Sequence, residues 1–320
     1  MDHYQRSALN YFAANPLDRV TVKRRDPDWL ARQLHEPTTR IVPVWQSQNL
    51  FTHDEPPRAV LLDPAQATSL LQEAEPILLG ADAETVYFAV DVPDPAEPDS
   101  QPLADRGQFL NLRTARAQMD HDTGALLAYA KAMTHWQRRH RFCGDCGYPT
   151  VSTEGGFMRT CTNPQDTHRH FPRTDPAIIV LVQRGAEALL ARQPTWPAGR
   201  YSIVAGFVEP GESAEDAVKR EVQEETDIDV AAVRYHSSQP WPFPGSLMLG
   251  YMAEAASSAI RLVDQELEKA RWFTREQVAQ ELRAGTLRLP PGLSISRRLI
   301  EAWFDAGECG RLRDIADDRW

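Results

Sequence analysis

Gly206-Phe-Val-Glu-Pro-Gly-Glu212, followed after seven residues by Arg220-Glu221-Val-Gln-Glu224-Glu225, decides how this chain is read. A glycine-bearing loop runs into a stretch of helical spacing, where Glu221, Glu224 and Glu225 at i, i+3 and i+4 share one side. Three carboxylates so placed repel one another by about 1 kcal/mol per pair even when well solvated. A cation in the same space removes that cost, and an all-carboxylate site suits the hard ions Mg²⁺ and Mn²⁺. The natural substrate for such a site contains phosphate. Acidic residues on a helix are usually just its solvated face. Against that reading, the strand-like run Tyr201-Ser-Ile-Val-Ala205 turns through Gly206 into a loop with Pro210 and Gly211. Val218 and Val222, four apart, then lay an apolar stripe beside the acids.

From Gly206 to Ile228 the segment resembles the Nudix box, G-x5-E-x7-R-E-U-x-E-E-x-G-U, in which U is a bulky apolar residue. Gly206, Glu212, Arg220, Glu221, Val222, Glu224, Glu225 and Ile228 fall in register, and Asp227 stands where the pattern has its last glycine. That position lies near the helix end, where a left-handed backbone is often wanted and Asp tolerates it better than most residues. The resemblance implies hydrolysis of a nucleoside diphosphate linked to another moiety. It also implies Glu221 and Glu225 as ligands of divalent ions, joined by the carbonyl of Ala205, with Glu224 as ligand or proton acceptor. Arg220 then orients a glutamate through a bidentate pair, and Glu212 fixes loop geometry or an outer metal. An acid just before Ala270-Arg271-Trp272-Phe273 completes the metal site in this family. Glu266 matches it, Glu268 is the rival, and either also reads as a surface acid; Leu267 and Trp272 as inward-turning neighbours favour Glu266.

Ser238-Gln239-Pro240-Trp241-Pro242-Phe243-Pro244-Gly245-Ser246 begins 13 residues after Glu225. Its alternating prolines restrict φ and remove backbone donors, which predicts a stiff extended loop rather than a helix or central strand. Trp241 and Phe243 are thereby pre-placed to stack on a nucleobase, with Gln239 and Ser246 offering polar contacts. The competing reading is a proline-braced core loop in which Trp241 merely packs. The run resembles the SQPWPFPxS array of the NADH pyrophosphatase branch of the Nudix hydrolases, in which it lines the substrate site. Within that branch Phe171 and Phe207 are stacking candidates for the nicotinamide or adenine half, and the backbone near Ser296 touches substrate.

Arg141-Phe142-Cys143-Gly144-Asp145-Cys146-Gly147 carries a CxxC knuckle, and Cys161 follows after a gap. In the branch just named the knuckle opens a four-cysteine zinc ribbon, and structural zinc wants four closed ligands. Here the fourth cysteine is missing. Asp166, His168 and His170 stand in its place, His168 being the first choice for a Cys₃His site. The alternative is a ribbon that has lost zinc. A redox dithiol is not supported, because no βαβ pattern surrounds the knuckle.

The chain has 320 residues, room for more than one domain, and a formal net charge of −10 that argues against nonspecific nucleic-acid binding. No signal-peptide-like start and no apolar run of membrane-spanning length is present. Four cysteines, three of them clustered, make no disulfide framework, so a cytoplasmic setting is expected. Organisation follows the motifs. Residues 1–137 form an N-terminal α+β domain of scaffolding or dimer-forming role, ending in a helix over Gly124–Arg138 with Leu126, Leu127, Ala130 and Met133 inward. A zinc-ribbon-like segment covers 138–171. The Nudix domain spans 172–305, with strands expected at Ile178–Val182, Ala188–Ala191 and Leu247–Tyr251, and 306–320 reads as a charged tail. The fold class is therefore α+β: a Nudix α/β/α sandwich with a mixed sheet, preceded by the ribbon and the N-terminal domain. The implied reaction is NADH plus water to NMNH and AMP, with NAD⁺ a poorer substrate and NAD-capped RNA a secondary one, in a homodimer. Two alternatives stand beside it: a Nudix hydrolase of another dinucleotide or ADP-ribose, and a non-catalytic zinc-ribbon protein that binds nucleotide or nucleic acid.

Overall fold

The computed structural model describes residues 1–95, 101–115, 119–165, 167–262 and 266–316. Its contacts divide into two compact units, one of residues 14–174 with Trp241–Gly245, the other of residues 1–13, Asp175–Pro240 and the chain from Ser246 onward.

The first unit is built on a five-stranded sheet of β1 (Arg40–Trp45), β2 (Gln48–Phe51), β3 (Ile77–Ala81), β4 (Val86–Asp91) and β5 (Gln108–Leu110). Their order is β3-β4-β1-β2-β5, with β1 parallel to β4 and the remaining pairs antiparallel. The central β1 is buried without alternation, Ile41, Val42 and Val44 all being inaccessible, as expected of a strand covered on both faces. One cover is the helix His121–Arg139, packed on β4 and begun by Asp120, whose carboxylate accepts from the Thr123 amide. Leu126, Leu127, Ala130 and Met133 point inward, as their spacing predicts, and Trp136 joins them. After this helix come β6 (Thr150–Thr153), β7 (Met158–Cys161) and β8 (Arg169–His170), a small antiparallel sheet.

The second unit has a mixed six-stranded sheet: β9 (Asp175–Arg184), β10 (Glu187–Arg192), β11 (Val204–Phe207), β12 (Val230–Trp241), β13 (Ser246–Ala255) and β14 (Lys269–Phe273). The order is β12-β13-β9-β10-β14, with β11 also pairing β9. β13 runs parallel to β9, while β10 and β11 are antiparallel to it. The expected strands at Ile178–Val182, Ala188–Ala191 and Leu247–Tyr251 lie inside β9, β10 and β13. On one face packs the helix Ala214–Thr226, whose Ala217, Val218 and Val222 meet Ile178, Val180, Val204 and Tyr251. Both valines are fully buried, each contributing roughly 1.5–3 kcal/mol. On the other lie the helices Arg275–Arg283 and Ile295–Phe304, in a cluster around Leu181, Leu190, Phe273, Leu299 and Trp303.

Three features depart from the sequence-based expectation. Ser238–Trp241, expected as loop, continue β12, and only residues 242–245 turn. The strand tolerates Pro240 because it is an edge strand, where a missing donor breaks no ladder. Residues 1–13 cluster with the second unit rather than with the segment that follows them. Arg6 Nε donates to the His236 carbonyl (3.0 Å), Asn10 Nδ2 to the Ser238 carbonyl (2.8 Å), and the Ser238 amide to Ser7 Oγ (3.0 Å). Beyond Asp305 the chain is not merely a charged tail: Leu312 is fully buried in the Trp303 cluster, and its amide donates to Asp305 Oδ1 (2.8 Å).

Gln239 is completely buried and ties this unit together. Its Oε1 accepts from the Ile295 amide (2.8 Å), while Nε2 donates to the carbonyls of Leu293 (2.7 Å) and Tyr11 (3.1 Å). Gln239→Ala removes the hydrogen bonds of the buried Ile295 amide and Leu293 carbonyl, and one to the half-buried Tyr11, and should destabilise by about 2–4 kcal/mol. A urea titration followed by tryptophan fluorescence checks this; an unshifted midpoint would show the amide to be dispensable.

Candidate active site

The acid-bearing helix is placed by signals at both ends. Ser213 and Asp216 form a reciprocal capping box at its start. At its end Asp227 takes the left-handed conformation, φ 59° and ψ 25°, that the glycine of the pattern would supply. Its carboxylate is held there by Gln223 Nε2 (2.8 Å) and Arg261 (2.9 Å).

Arg220 is the hub of the site. Its guanidinium donates to Glu212 through Nε (2.6 Å) and Nη2 (3.0 Å), to Glu221 (2.8 Å) and Glu224 (3.0 Å) through Nη1, and to the Phe207 carbonyl (2.9 Å). It thus fastens the loop to the helix and offsets the charge of three carboxylates. Its own proton is held more tightly than usual, above all by Glu212. The Arg220 pair and the Glu209 amide hold the Glu212 carboxyl down at about 2. Glu221 moves the other way. Burial pushes its carboxyl up, Arg220 opposes that, and the charges of Glu224 and Glu266 push it up again. Glu225 is buried, whereas Glu224 and Glu266 are exposed. Its rival Glu268 is paired with Arg192, and its amide donates to the Arg192 carbonyl (2.9 Å).

Gly206 faces these acids from β11, in register with Ile178, one residue after Ala205 opposite Ile179. A Cβ at Gly206 would fall inside the carboxylate of Glu221, so a larger residue there would displace that acid from its present position. The carboxylates suit a hard divalent cation chemically: they are oxygen donors, and Glu221, raised first by burial and then by the charges of Glu224 and Glu266, is a carboxylate that a nearby cation would stabilise. Among the described residues, however, no three of these acids bring oxygens within 4.8 Å of one another. Glu221, Glu224 and Glu225 share a helix, and Glu212, Glu221 and Glu224 share a guanidinium, rather than forming a tight cage.

The proline array divides in use. Gln239, expected to offer polar contact to a ligand, has its amide fully engaged inside the protein, because the strand that carries it packs against the start of the helix Ile295–Phe304. Ser296 is likewise 2% exposed, its hydroxyl paired with Ser202 Oγ (2.8 Å) and its amide donating to Ser294 Oγ (3.2 Å). Pro240 and Pro244 are exposed and Pro242 is buried, with Gly245 and Ser246 half-buried. Trp241 and Phe243 meet edge to face at 5.0 Å. The Phe243 ring also carries Arg113 at 4.8 Å and Lys131 at 5.0 Å, two braces that nothing in the sequence pattern signals. Lys131 is pushed down to about 8 by burial and the nearby arginines, and it donates to the Ser47 carbonyl (2.6 Å). Phe207 and Phe171, each in its own unit, are 60% and 58% exposed.

At the end of β7 of the small sheet, the ligand atoms of Cys143, Cys146, Cys161 and His168 all lie within 4.8 Å of one another. Cys146 Sγ is 3.4 Å from Cys161 Sγ, and Cys143 Sγ is 3.5 Å from His168 Nδ1. This donor set fits a tetrahedral metal. His170 approaches Cys143 Sγ with Nε2 at 3.2 Å but groups with Cys143 and Asp145 instead. Asp166, the remaining alternative, lies outside the described residues.

Family models match three consecutive stretches: a NUDIX domain at residues 172–291, an NADH pyrophosphatase-like rudimentary NUDIX domain at 38–136, and an NADH pyrophosphatase zinc ribbon domain at 138–171. The chain is 34% identical over 339 residues to the NAD-capped RNA hydrolase NUDT12 of Macaca fascicularis, covering 92% of this chain and 73% of that one. It is 42% identical over 235 residues to the NAD-capped RNA hydrolase NudC of Stutzerimonas stutzeri, covering 73% and 78%. Among solved structures, a NUDIX hydrolase from Nitrosomonas europaea aligns at 16% identity with a TM-score of 0.42, over 53% of this chain and 96% of that one, a likeness too slight to argue from. The domain series and the identities agree: the chain belongs to the Nudix hydrolase family, in its NADH pyrophosphatase branch.

Proposed function

We propose that this protein hydrolyses the pyrophosphate bond of NAD(H), converting NADH and water to NMNH and AMP, and that the 5′ end of NAD-capped RNA enters the same site. The observation that carries the reading is the helix face of Glu221, Glu224 and Glu225, set against Gly206 and organised by Arg220. It is supported by the names of the relatives, both NAD-capped RNA hydrolases.

In this reading Glu221, Glu225, Glu266 and the Ala205 carbonyl would hold Mg²⁺ or Mn²⁺. Such ions, when bound, neutralise pyrophosphate oxygens and acidify a water. The chain's own groups do the rest. Glu224 is exposed on the same face and can swing from Arg220 to accept the proton of the attacking water. As the new P–O bond forms, the bridging P–O bond breaks and the leaving phosphate takes its electron pair. Arg220 keeps Glu221 oriented and stays clear of substrate, because Glu212 and the Phe207 carbonyl hold its other nitrogens. Exposed Phe207 offers a ring to a base of the dinucleotide. One zinc in the Cys143, Cys146, Cys161 and His168 set is the second metal of this proposal. A cytoplasmic setting accords with four cysteines outside any disulfide, and the homodimer rests on the family resemblance alone.

Three measurements bear on this. With NADH and excess Mg²⁺ or Mn²⁺, AMP should be recovered together with NMNH, and NADH should turn over faster than NAD⁺ or ADP-ribose. Preference for ADP-ribose would shift the assignment to another substrate of the same chemistry. Glu225→Gln, nearly isosteric, should lower kcat by about 100-fold or more while the protein stays folded; unchanged turnover would remove the catalytic assignment. Elemental analysis of purified protein should give close to one zinc per chain, and His168→Ala should reduce it below half; wild-type protein without zinc would refute the ligand set.

A further inference from the structure

The protein is acidic overall, with net charge −10, yet residues 138–174 hold six arginines against three acids. Three of those arginines, Arg139, Arg169 and Arg173, line one cavity of about 710 Å³ that lies wholly within the unit of residues 14–174. Among the described residues, none of the three makes an ion pair or a side-chain hydrogen bond, so their charge is not already neutralised by the protein. The acid in the cavity wall, Asp145, lies toward the cysteine cluster instead, 3.8 Å from Cys143 Sγ. Two aromatic rings share the wall, Phe142 at 66% exposure and Phe171 at 58%. Large apolar rings left in water next to unpaired guanidinium groups are poor packing for a surface with no partner. They match what a single-stranded polynucleotide needs: cations for successive phosphates and a flat face for an unpaired base.

We propose that this cavity binds the body of a single-stranded RNA substrate, Arg139, Arg169 and Arg173 contacting backbone phosphates while Phe142 stacks on a base. The inference rests on the proposed RNA activity for its biological sense, but it is tested without any cleavage. A 5′-hydroxyl single-stranded RNA of about 20 nucleotides is titrated with whole protein by fluorescence anisotropy between about 50 and 200 mM salt, alongside NADH turnover. Replacing the three arginines by alanine should weaken binding at least about tenfold and flatten the log–log salt slope by about 2, the loss of three phosphate contacts on a single strand. NADH turnover should stay within about twofold. Phe142→Ala should weaken binding about tenfold at unchanged slope. If the alanine variant also loses NADH turnover, the corresponding triple lysine variant decides: retained affinity and slope support the proposal, and their loss overturns it. Absence of RNA binding by the wild type, or equal binding by the alanine variant, overturns it. So does salt-sensitive self-association without RNA binding, abolished in the alanine variant, which would assign the cavity to an acidic face of a second copy. RNA binding without NADH turnover would instead sink the proposed activity and leave this surface standing.

Discussion

Everything at the candidate site depends on one guanidinium. Three carboxylates within bonding reach of Arg220 would be a costly concentration of negative charge in a partly desolvated place. Arg220 offsets that charge and, because its five donors are fixed in a plane, also sets the directions in which the acids point. The bidentate pair with Glu212 anchors it to the loop, which leaves a single nitrogen for Glu221 and Glu224 together. Glu212, held down at about 2, remains an anion at any pH at which the protein would work. The half-buried Glu221, with its raised carboxyl, is the unsettled member of the group. A site arranged in this way is electrostatically poised: the loop half is saturated, and the helix half is still short of positive charge.

How much of this could be read from the sequence varied with the kind of constraint. The helix face was legible because i, i+3, i+4 spacing is a property of any helix, and Asp227 was legible because few residues accept φ of 59°. Strands β9, β10 and β13 announced themselves as apolar runs. The proline array misled in part. Alternating prolines mark extended backbone correctly, but they do not say whether a polar side chain between them faces solvent or a neighbouring helix. Gln239 faces the helix start, and only tertiary packing decides that. Leu312 was hidden for a similar reason, a lone apolar residue in a charged stretch whose burial depends on Trp303 and Asp305.

The cysteine cluster marks the limit of spacing rules. His168 and His170 are two residues apart and equally plausible by type, yet one joins the three thiols and the other groups with Cys143 and Asp145. His170 lies in β8 and His168 in the stretch before it, so strand alternation does not relate the two side chains. Arg113 and Lys131, which flank Phe243, come from elements far away in the chain and carry no local signature.

The opening residues have a use beyond filling space. β12 is twelve residues long and forms one border of its sheet, so its outer backbone groups could template the addition of any other extended chain. Arg6, Ser7 and Asn10 occupy the outward carbonyls of His236 and Ser238 and the amide of Ser238, and Pro240 has no donor to present. A version of the protein trimmed of its first thirteen residues would keep every acid of the helix. It would also bare a sticky flank, and polymerisation through that flank is the hazard this short segment guards against.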